Sequence, residues 1–425
     1  MASLPFMVSA PGKVILFGEH AAVYGKPAIA AAVSMRSYLL MSASADPDAL
    51  TIQFPDVSFT HTWSLASLPW DKFEAVRAHE RVRPGTELHE DLVAALEPAL
   101  GTVADSFQRV SALTFLYLYL SICRREQTGV VATVRSTLPI GAGLGSSASI
   151  SVCIASAMCV LTGEVPVPTG EDSPMNYAST EIIDGWAFLG EKCIHGTPSG
   201  IDNTVASHGG AVMFQRMGKG NPNVRNTMRS FPPIRLLLVD SRQPRRTAVQ
   251  VANVATLLEE QPAITEALLQ GIHALATEAY RLMQMSAAEC GPEWSARVRE
   301  LVRINHGLLV ALGVSHPKLE AIKIACDEHA VGETKLTGAG GGGCAITLLH
   351  DDVAADRLDA LRARLEGDGF RMYETILGGA GVGCLFPGAG VPAAAFSDEA
   401  LLALAGRDEV EAAVGVGGVA GWSFW

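Results

Sequence analysis

The sequence predicts an α+β protein of two domains with a cleft between them. Its 425 residues, 48% of them hydrophobic, are more than one compact core usually holds. Strand and helix patterns alternate toward the C-terminus, which is typical of an α+β sandwich. A cleft between two such domains is a common location for a small-molecule site.

The domain boundary is placed near residue 230, giving domains at 1–230 and 231–390 and an extension at 391–425. Residues 218–233 are rich in glycine, asparagine and proline and are expected to form the linker. The extension is rich in alanine and glycine and is expected to be loosely held. One helix, over 397–404, is expected to pack on the domain surface.

In the first half, short apolar runs bounded by glycine and proline predict strands at 13–17 and 28–33, joined by a loop that holds Glu19 and His20. The further elements expected here are a hairpin or edge strands over 51–64, a helical region over 92–124 broken at Gly101, a strand at 130–135 and a helix over 176–194.

A helix that carries Asp202 is expected to start after Ser199, because His195-Gly196 and Pro198 end the preceding helix and serine is a good cap. The second half is expected to contain a strand at 234–239, helices over 246–260, 263–285, 293–312 and 317–330, a strand at 344–349, a helix over 354–365, and strands at 370–375 and 382–386.

The segment 138–149, LPIGAGLGSSAS, predicts an anion-binding loop. Gly141, Gly143 and Gly145 permit positive φ and close backbone approach, and the helix that follows adds its positive dipole end at Ser146–Ser147. The loop lacks the lysine of a Walker A motif, which excludes an ordinary nucleotide P-loop. A plain strand-to-helix turn closed by glycines stays an alternative on spacing alone.

A second glycine-rich stretch, GAGGGG at 338–343, satisfies the G-x-G-x-x-G dinucleotide pattern. The expected order is helix, loop, strand, the reverse of a dinucleotide-binding unit, and no acidic residue is placed to bind a ribose. Bare backbone facing a cleft is the better interpretation, since five glycines in six positions are costly to order.

Composition disfavours several partners. The net charge of −12 and the absence of a lysine- and arginine-rich run argue against nucleic acid and membrane surfaces, although Arg242, Arg245 and Arg246 form a local basic cluster. The eight cysteines show no C-x-x-C spacing, which favours reduced thiols in a cytoplasmic protein without structural zinc. The N-terminus has no secretory pattern, and the longest apolar stretch, 113–123, is too short to span a membrane.

Three segments together resemble the signature motifs of the GHMP kinases. They are PGKVILFGEHAAVYGKPA at 11–28, PIGAGLGSSAS at 139–149 and KLTGAGGGGCAITLL at 335–349. Within that superfamily, EKCIHGTPSGIDN at 191–203 is most similar to the mevalonate kinase family, and the likeness covers about residues 8–388.

The resemblance implies an N-terminal S5-like α/β domain, a ferredoxin-like α+β C-terminal domain with extra helices, and an active-site cleft between them. It also implies ATP-dependent phosphorylation of the primary hydroxyl of (R)-mevalonate with Mg²⁺, an early step of isoprenoid and sterol biosynthesis, by a cytoplasmic homodimer. Such a reaction asks the protein to position two substrates, neutralise charge and receive a proton.

By this resemblance Asp202 is the catalytic base, Lys13 contacts Asp202 and the reacting oxygens, and Ser147 and Glu191 bind Mg²⁺. The residues implied for ATP phosphates are Gly141, Gly143, Leu144, Gly145, Ser146, Ser147 and Ala148. The residues implied for the acceptor are Glu19, His20, Arg245, Thr247, Gly340 and Gly341.

From the residue types alone, Asp202 could cap its own helix, and Glu191 could be an exposed helical glutamate. Two other functions are also weighed. A related GHMP kinase, such as a phosphomevalonate or homoserine kinase, would share these motifs. A non-catalytic ligand sensor on the same fold would bind but not turn over.

Overall fold

The computed structural model describes residues 3–78, 84, 87–139, 141–168, 174–218, 223–229, 231–285, 289–388 and 391–425. Over these residues the predicted α+β class is confirmed, with helices packed against a mixed sheet. None of the described helices has both the length and the apolarity needed to cross a membrane.

The strands form one connected sheet. They are β1 (Phe6–Phe17), β2 (Ala28–Ala43), β3 (Ala49–Phe54), β4 (Phe59–Ser64), β5 (Val130–Ser136), β6 (Ala211–Gln215), β7 (Val224–Met228), β8 (Ile234–Asp240), β9 (Gly332–Leu336), β10 (Cys344–Leu349), β11 (Arg371–Leu377), β12 (Gly383–Leu385) and β13 (Ser423–Phe424). The main path runs β13-β12-β1-β2-β11-β8-β10-β9, and β3, β4, β5, β6 and β7 branch from β2.

The helices cover the sheet. They are α1 (Trp70–Ala78), α2 (Glu90–Leu100), α3 (Ser106–Ile122), α4 (Ser146–Thr162), α5 (Pro174–His195), α6 (Ile201–His208), α7 (Thr247–Glu260), α8 (Pro262–Met283), α9 (Pro292–Ala311), α10 (Pro317–Glu328), α11 (Ala355–Gly367), α12 (Asp398–Ala403) and α13 (Arg407–Val414). Most predicted elements are found within a few residues, including the helix break at Gly101 and the hairpin formed by β3 and β4.

The two halves of the chain meet at β2. This long strand pairs with β1, β5 and β6 of the first half, and its Val33 pairs with Leu377 of β11. The largest apolar core lies in the first half around α3, α4 and α5, and separate cores lie beneath α8–α9 and α10–α11 of the second half. Because β12 also pairs with β1, both halves are held against the same strands. The boundary near residue 230, which is itself outside the described residues, stays a prediction.

Two local predictions were wrong. The 218–233 segment is not only a linker, because it contains β7, which pairs with β6; residues 219–222 and 230 lie outside the described part. The 338–343 loop follows a strand rather than a helix, since β9 precedes it and pairs with β10. The apolar pattern did not predict these strands, because β7 contains polar residues and β9 is short. A strand on each side still excludes a dinucleotide-binding unit, which needs a helix after the loop.

The prediction of a loosely held C-terminal extension was also wrong. The predicted helix is present as α12, capped by Ser397, and β13 adds to the sheet beside β12. The indole Nε1 of Trp425 donates to Pro166 O at 2.8 Å, and the Trp425 side chain packs in the main core. Composition missed this because a few large apolar side chains, set among many alanines and glycines, make the contacts.

Candidate active site

Two cavities lie side by side in the cleft. The first has a volume of about 610 Å³. Its apolar part is lined by Ile52 and Phe54 of β3 and by Phe107 and Val110 of α3. Its polar part is formed by the first glycine loop and the start of α4, namely Gly141, Gly143, Gly145, Ser146 and Ser147. An apolar slot beside a glycine loop and a helix N-terminus suits a ligand with a flat ring at one end and anionic groups at the other.

The second cavity, of about 330 Å³, is lined by residues from both halves of the chain, including Glu19 and His20 of the first and Thr247 and Ala339 of the second. Asp202 lines both cavities. The carboxylate of Asp202 therefore lies where a ligand in one cavity would meet a ligand in the other.

The first glycine loop has the geometry that the sequence predicts. Gly141, Gly143 and Gly145 have φ of 75°, 80° and 71°, in the left-handed region that favours glycine. The loop is tied to β1, because the backbone N–H of Lys13 donates to Leu144 O at 2.7 Å. A Cβ on Gly145 would lie 2.9 Å from Lys13 Cγ, so this glycine lets the lysine side chain pass.

Lys13 reaches Asp202 across the cleft floor. Its Nζ lies 3.1 Å from Asp202 Oδ2, and the side chains are 9% and 31% exposed. Lys13 lies within β1, just after a register shift between Pro11 and Lys13, which breaks the regular side-chain alternation. Asp202 lies in the first turn of α6, whose N-cap is Gly200 rather than the predicted Ser199. The expected pairing of these two residues is present.

Glu191 and Ser147 lie together at the wall of the first cavity. The Ser147 hydroxyl donates to Glu191 Oε2 at 3.4 Å and lies 3.2 Å from His195 Nε2. Burial, and then the charge of nearby Asp202, raise the pKa of Glu191 to about 8. Among the residues that the structure describes, His195 Nε2 lies 3.9 Å from Glu191, and the charge of Lys13 only partly opposes the rise in the pKa of Glu191 without forming an ion pair with it. A buried carboxylate held only by long hydrogen bonds, beside a hydroxyl, is an oxygen-donor set that fits a hard divalent cation.

Glu19 and His20 follow β1 at the edge of the second cavity. His20 Nε2 lies 2.9 Å from Ala339 O, and burial lowers the pKa of His20 below its ordinary value. A neutral imidazole at the cavity wall suits hydrogen bonding to ligand oxygens. Glu19 is engaged elsewhere, because Lys335 Nζ contacts one of its oxygens and Asn305 Nδ2 donates to the other at 2.9 Å.

Arg245 lies between the two glycine loops. The Cζ, Nη1 and Nη2 atoms of its guanidinium would be 2.0–2.3 Å from a Cβ on Gly143, and Nη1 would be 2.7 Å from a Cβ on Gly338. It lines the first cavity, whereas Thr247, at the start of α7, lines the second. Within the described parts of the chain no carboxylate pairs with Arg245. The structure thus separates two residues that the sequence assigns together to the acceptor.

Four of the other predicted residues do not line either cavity. Gly340 and Gly341 pack against Val314 and Gln250, and the second cavity is lined instead by Gly338 and Ala339. Leu144 of the first loop and Ala148 of α4 are buried.

Sequence reasoning missed the apolar slot, Lys335 and Asn305. Ile52 and Phe54 alternate with polar residues, so they could be assigned to a strand but not to a ligand. Lys335 stands next to the second glycine loop, a position that could have marked it, but its partner Glu19 is remote in sequence. Asn305 lies in a helical pattern with nothing to distinguish it from a surface residue.

Comparisons with known proteins agree with this architecture. A family model for the GHMP kinases N terminal domain matches residues 110–210, and a model for the GHMP kinases C terminal region matches residues 295–367. The chain is 46% identical to the mevalonate kinase of Candida albicans over 100% of both chains. It is 42% identical to the mevalonate kinase of Saccharomyces cerevisiae over 89% of each chain.

The fold is also found in solved structures. The crystal structure of L. major mevalonate kinase in complex with R-mevalonate aligns with a TM-score of 0.61, covering 89% of this chain and 97% of that one. The sequence identity in this alignment is 22%, so the likeness concerns the fold.

Proposed function

The chain belongs to the mevalonate kinase family of the GHMP kinases, and from this premise we propose that it transfers the γ-phosphoryl group of ATP to the primary hydroxyl of (R)-mevalonate. The observation that carries the proposal is the position of Asp202, which lines both cavities and pairs with Lys13. The products are 5-phosphomevalonate and ADP. This reaction is an early step of isoprenoid and sterol biosynthesis.

ATP occupies the first cavity in this proposal. Its adenine lies in the apolar slot beside Phe54 and Phe107, and its phosphates lie on the amides of the 141–147 loop. Arg245, which is not paired with an acid among the described residues, adds positive charge beside that loop. The assignment is supported by the lining of the cavity, which is apolar at one end and is formed by the first glycine loop and the start of α4 at the other.

Mevalonate occupies the second cavity, with its primary hydroxyl toward Asp202. His20 and Thr247 offer hydrogen bonds to its oxygens. The relative from L. major is described as a complex with R-mevalonate, which supports this class of acceptor. The cavity of about 330 Å³ is large enough for a small hydroxy acid.

The chain's own residues then perform the transfer. The hydroxyl oxygen attacks the γ-phosphorus, the bond from that phosphorus to the β–γ bridging oxygen breaks, and the hydroxyl proton passes to Asp202. Lys13 holds the Asp202 carboxylate in place through its ion pair and stabilises negative charge on the reacting oxygens. Glu191 and Ser147 would hold Mg²⁺, which when bound neutralises charge on the phosphates.

A cytoplasmic location and a homodimeric state stay predictions that rest on the family resemblance. The acceptor is tested by incubating purified protein with MgATP and a panel of alcohols while ADP release is followed. The panel contains (R)-mevalonate, (S)-mevalonate, 5-phosphomevalonate and homoserine. Turnover of (R)-mevalonate above the others is expected. Preference for another alcohol would refute the acceptor, and absence of turnover with all four would favour a sensor.

A further inference from the structure

Lys335 is a buried lysine that takes no part in the proposed phosphoryl transfer. It lies on β9, and its side chain is 0% exposed. Its Nζ contacts Glu19 Oε1, and Asn305 Nδ2 of α9 donates to Glu19 Oε2 at 2.9 Å. Both oxygens of the Glu19 carboxylate are therefore bound by residues of the second half of the chain. A carboxylate engaged in this way anchors a loop rather than a substrate.

The loop that Glu19 anchors has an unusual backbone at the next residue. His20 has φ 60° and ψ −45°, a region that residues other than glycine rarely occupy. Such a conformation persists where surrounding contacts hold it, and it is often found at functional sites. The contacts here are the two bonds to Glu19 and the 2.9 Å approach of His20 Nε2 to Ala339 O.

The same end of β9 is fixed to β1. Thr337 lies two residues after Lys335, and its hydroxyl donates to Ile15 O at 2.8 Å. The second glycine loop and the loop after β1 are thus held in one arrangement across the cleft. Stability alone does not account for a lysine at this position, because well-packed apolar residues often serve as well as a buried ion pair.

We propose that Lys335 is a positioning residue for the acceptor: through Glu19 it fixes residues 18–25 so that His20 presents its imidazole to the second cavity. The proposal rests on the proposed function for the identity of the acceptor. It also reassigns Glu19 from a substrate contact to the anchor of the loop.

The first test is Lys335→Met, which keeps the length of the side chain and removes its charge. The KM for mevalonate is expected to rise about tenfold or more, because small displacements of a positioning group have large effects. The KM for ATP is expected to stay within about twofold, since the 141–147 loop is not contacted by Lys335. Lys323→Met is the matched control, because Lys323 forms an ion pair on the surface with Asp327 of the same helix.

A second variant distinguishes loss of positioning from misfolding. Lys335→Met leaves Glu19 buried without its cation, so Glu19→Gln/Lys335→Met removes both charges. This double variant is expected to fold with a melting temperature near that of the parent, yet to keep the raised KM for mevalonate. A KM for mevalonate within about twofold of the parent in either folded variant, or equal rises in both KM values, would overturn the proposal.

A readout without turnover separates this proposal from the proposed function. In protein labelled with ¹⁵N-histidine, the His20 ring resonance is assigned by its loss in His20→Gln. It is expected to shift in Lys335→Met and to stay in place in Lys323→Met. An unshifted resonance would refute the positioning role even if mevalonate is the acceptor, whereas a shift with no mevalonate turnover by the parent would refute only the acceptor.

Discussion

Lys13 Nζ lies 3.1 Å from Asp202 Oδ2, and the two side chains differ in their access to solvent. The lysine is 9% exposed and the aspartate 31%. The cation is therefore sheltered beneath the first glycine loop, while the carboxylate faces both cavities. This asymmetry lets Asp202 meet an acceptor hydroxyl while it keeps its ion pair with Lys13.

Asp202→Asn is expected to lower kcat by about three orders of magnitude or more, because the amide cannot take the hydroxyl proton and the charge-charge interaction with Lys13 is lost. Nucleotide binding, measured with a fluorescent ATP analogue, is expected to persist. Asp327→Asn is the control, since Asp327 pairs with a lysine on the surface of α10. A kcat close to that of the parent would remove the base role from Asp202.

Glu191→Gln is expected to raise the Mg²⁺ concentration for half-maximal activity about tenfold or more, because loss of a neighbouring charged oxygen weakens cation binding. The melting temperature should not fall, since burial of the carboxylate already opposes its charge. The matched control is Glu300→Gln on the exposed face of α9. An unchanged magnesium titration would show that Glu191 lies outside the metal site.

Gly143→Ala is expected to raise the KM for ATP more than Gly141→Ala. Both glycines have positive φ, of 80° and 75°, so both alanines incur similar backbone strain of about 1 kcal/mol. The Cβ at position 143 would displace the guanidinium of Arg245, whereas no atom of the described residues lies within 4 Å of a Cβ at 141. Steady-state kinetics at saturating mevalonate measure the difference, and equal KM values would argue that Arg245 does not contribute to nucleotide binding.

Asp398→Ala is expected to lower the free energy of unfolding by about 1–3 kcal/mol, because it leaves the Ser42 hydroxyl without its acceptor and leaves the Thr133 hydroxyl with Gln53 alone. The effect on kcat should be small, since Asp398 lies in the C-terminal extension outside both cavities. Asp408→Ala removes an exposed aspartate from the first turn of another helix in that extension and serves as the control. Urea unfolding measures the free energy of unfolding of both variants. Equal decreases in the two variants would show that Asp398 does not anchor the extension.

Stability is expected to fall in mild acid, in part through His306. Burial lowers the pKa of this histidine below 6.5 in the folded protein, and the charge of Glu320 only partly opposes it. The unfolded chain therefore binds the proton first as the pH falls below 6.5, so this part of the stability is present above that pH and lost below it. The free energy of unfolding of His306→Gln should depend less on pH between about 7 and 5 than that of the parent. An identical slope would assign the acid sensitivity elsewhere, and the partly exposed His273, replaced by Gln, is the control.

Most elements of the fold could be predicted because their signals are local. The glycines of the 141–145 loop, the apolar run of α4 and the turn before α6 each specify their own backbone conformation, whatever lies around them. The strand β7, with Arg225 and Asn226, has no apolar alternation, and its place is set by pairing with β6. The extension was misjudged for the same reason, since its order comes from contacts that Trp425 and Asp398 make with remote strands and loops.

The sequence by itself determined the α+β class, the family and the residue types of the site, because motif spacing and backbone preferences are written along the chain. Only the tertiary structure decided that Asp202 separates two cavities, that Arg245 lies beside the first loop rather than in the second cavity, and that Lys335 holds Glu19. These relationships join residues far apart in the chain. They arise when β1, α6, α9 and β9 are packed around one cleft, which fixes distances that no local preference encodes.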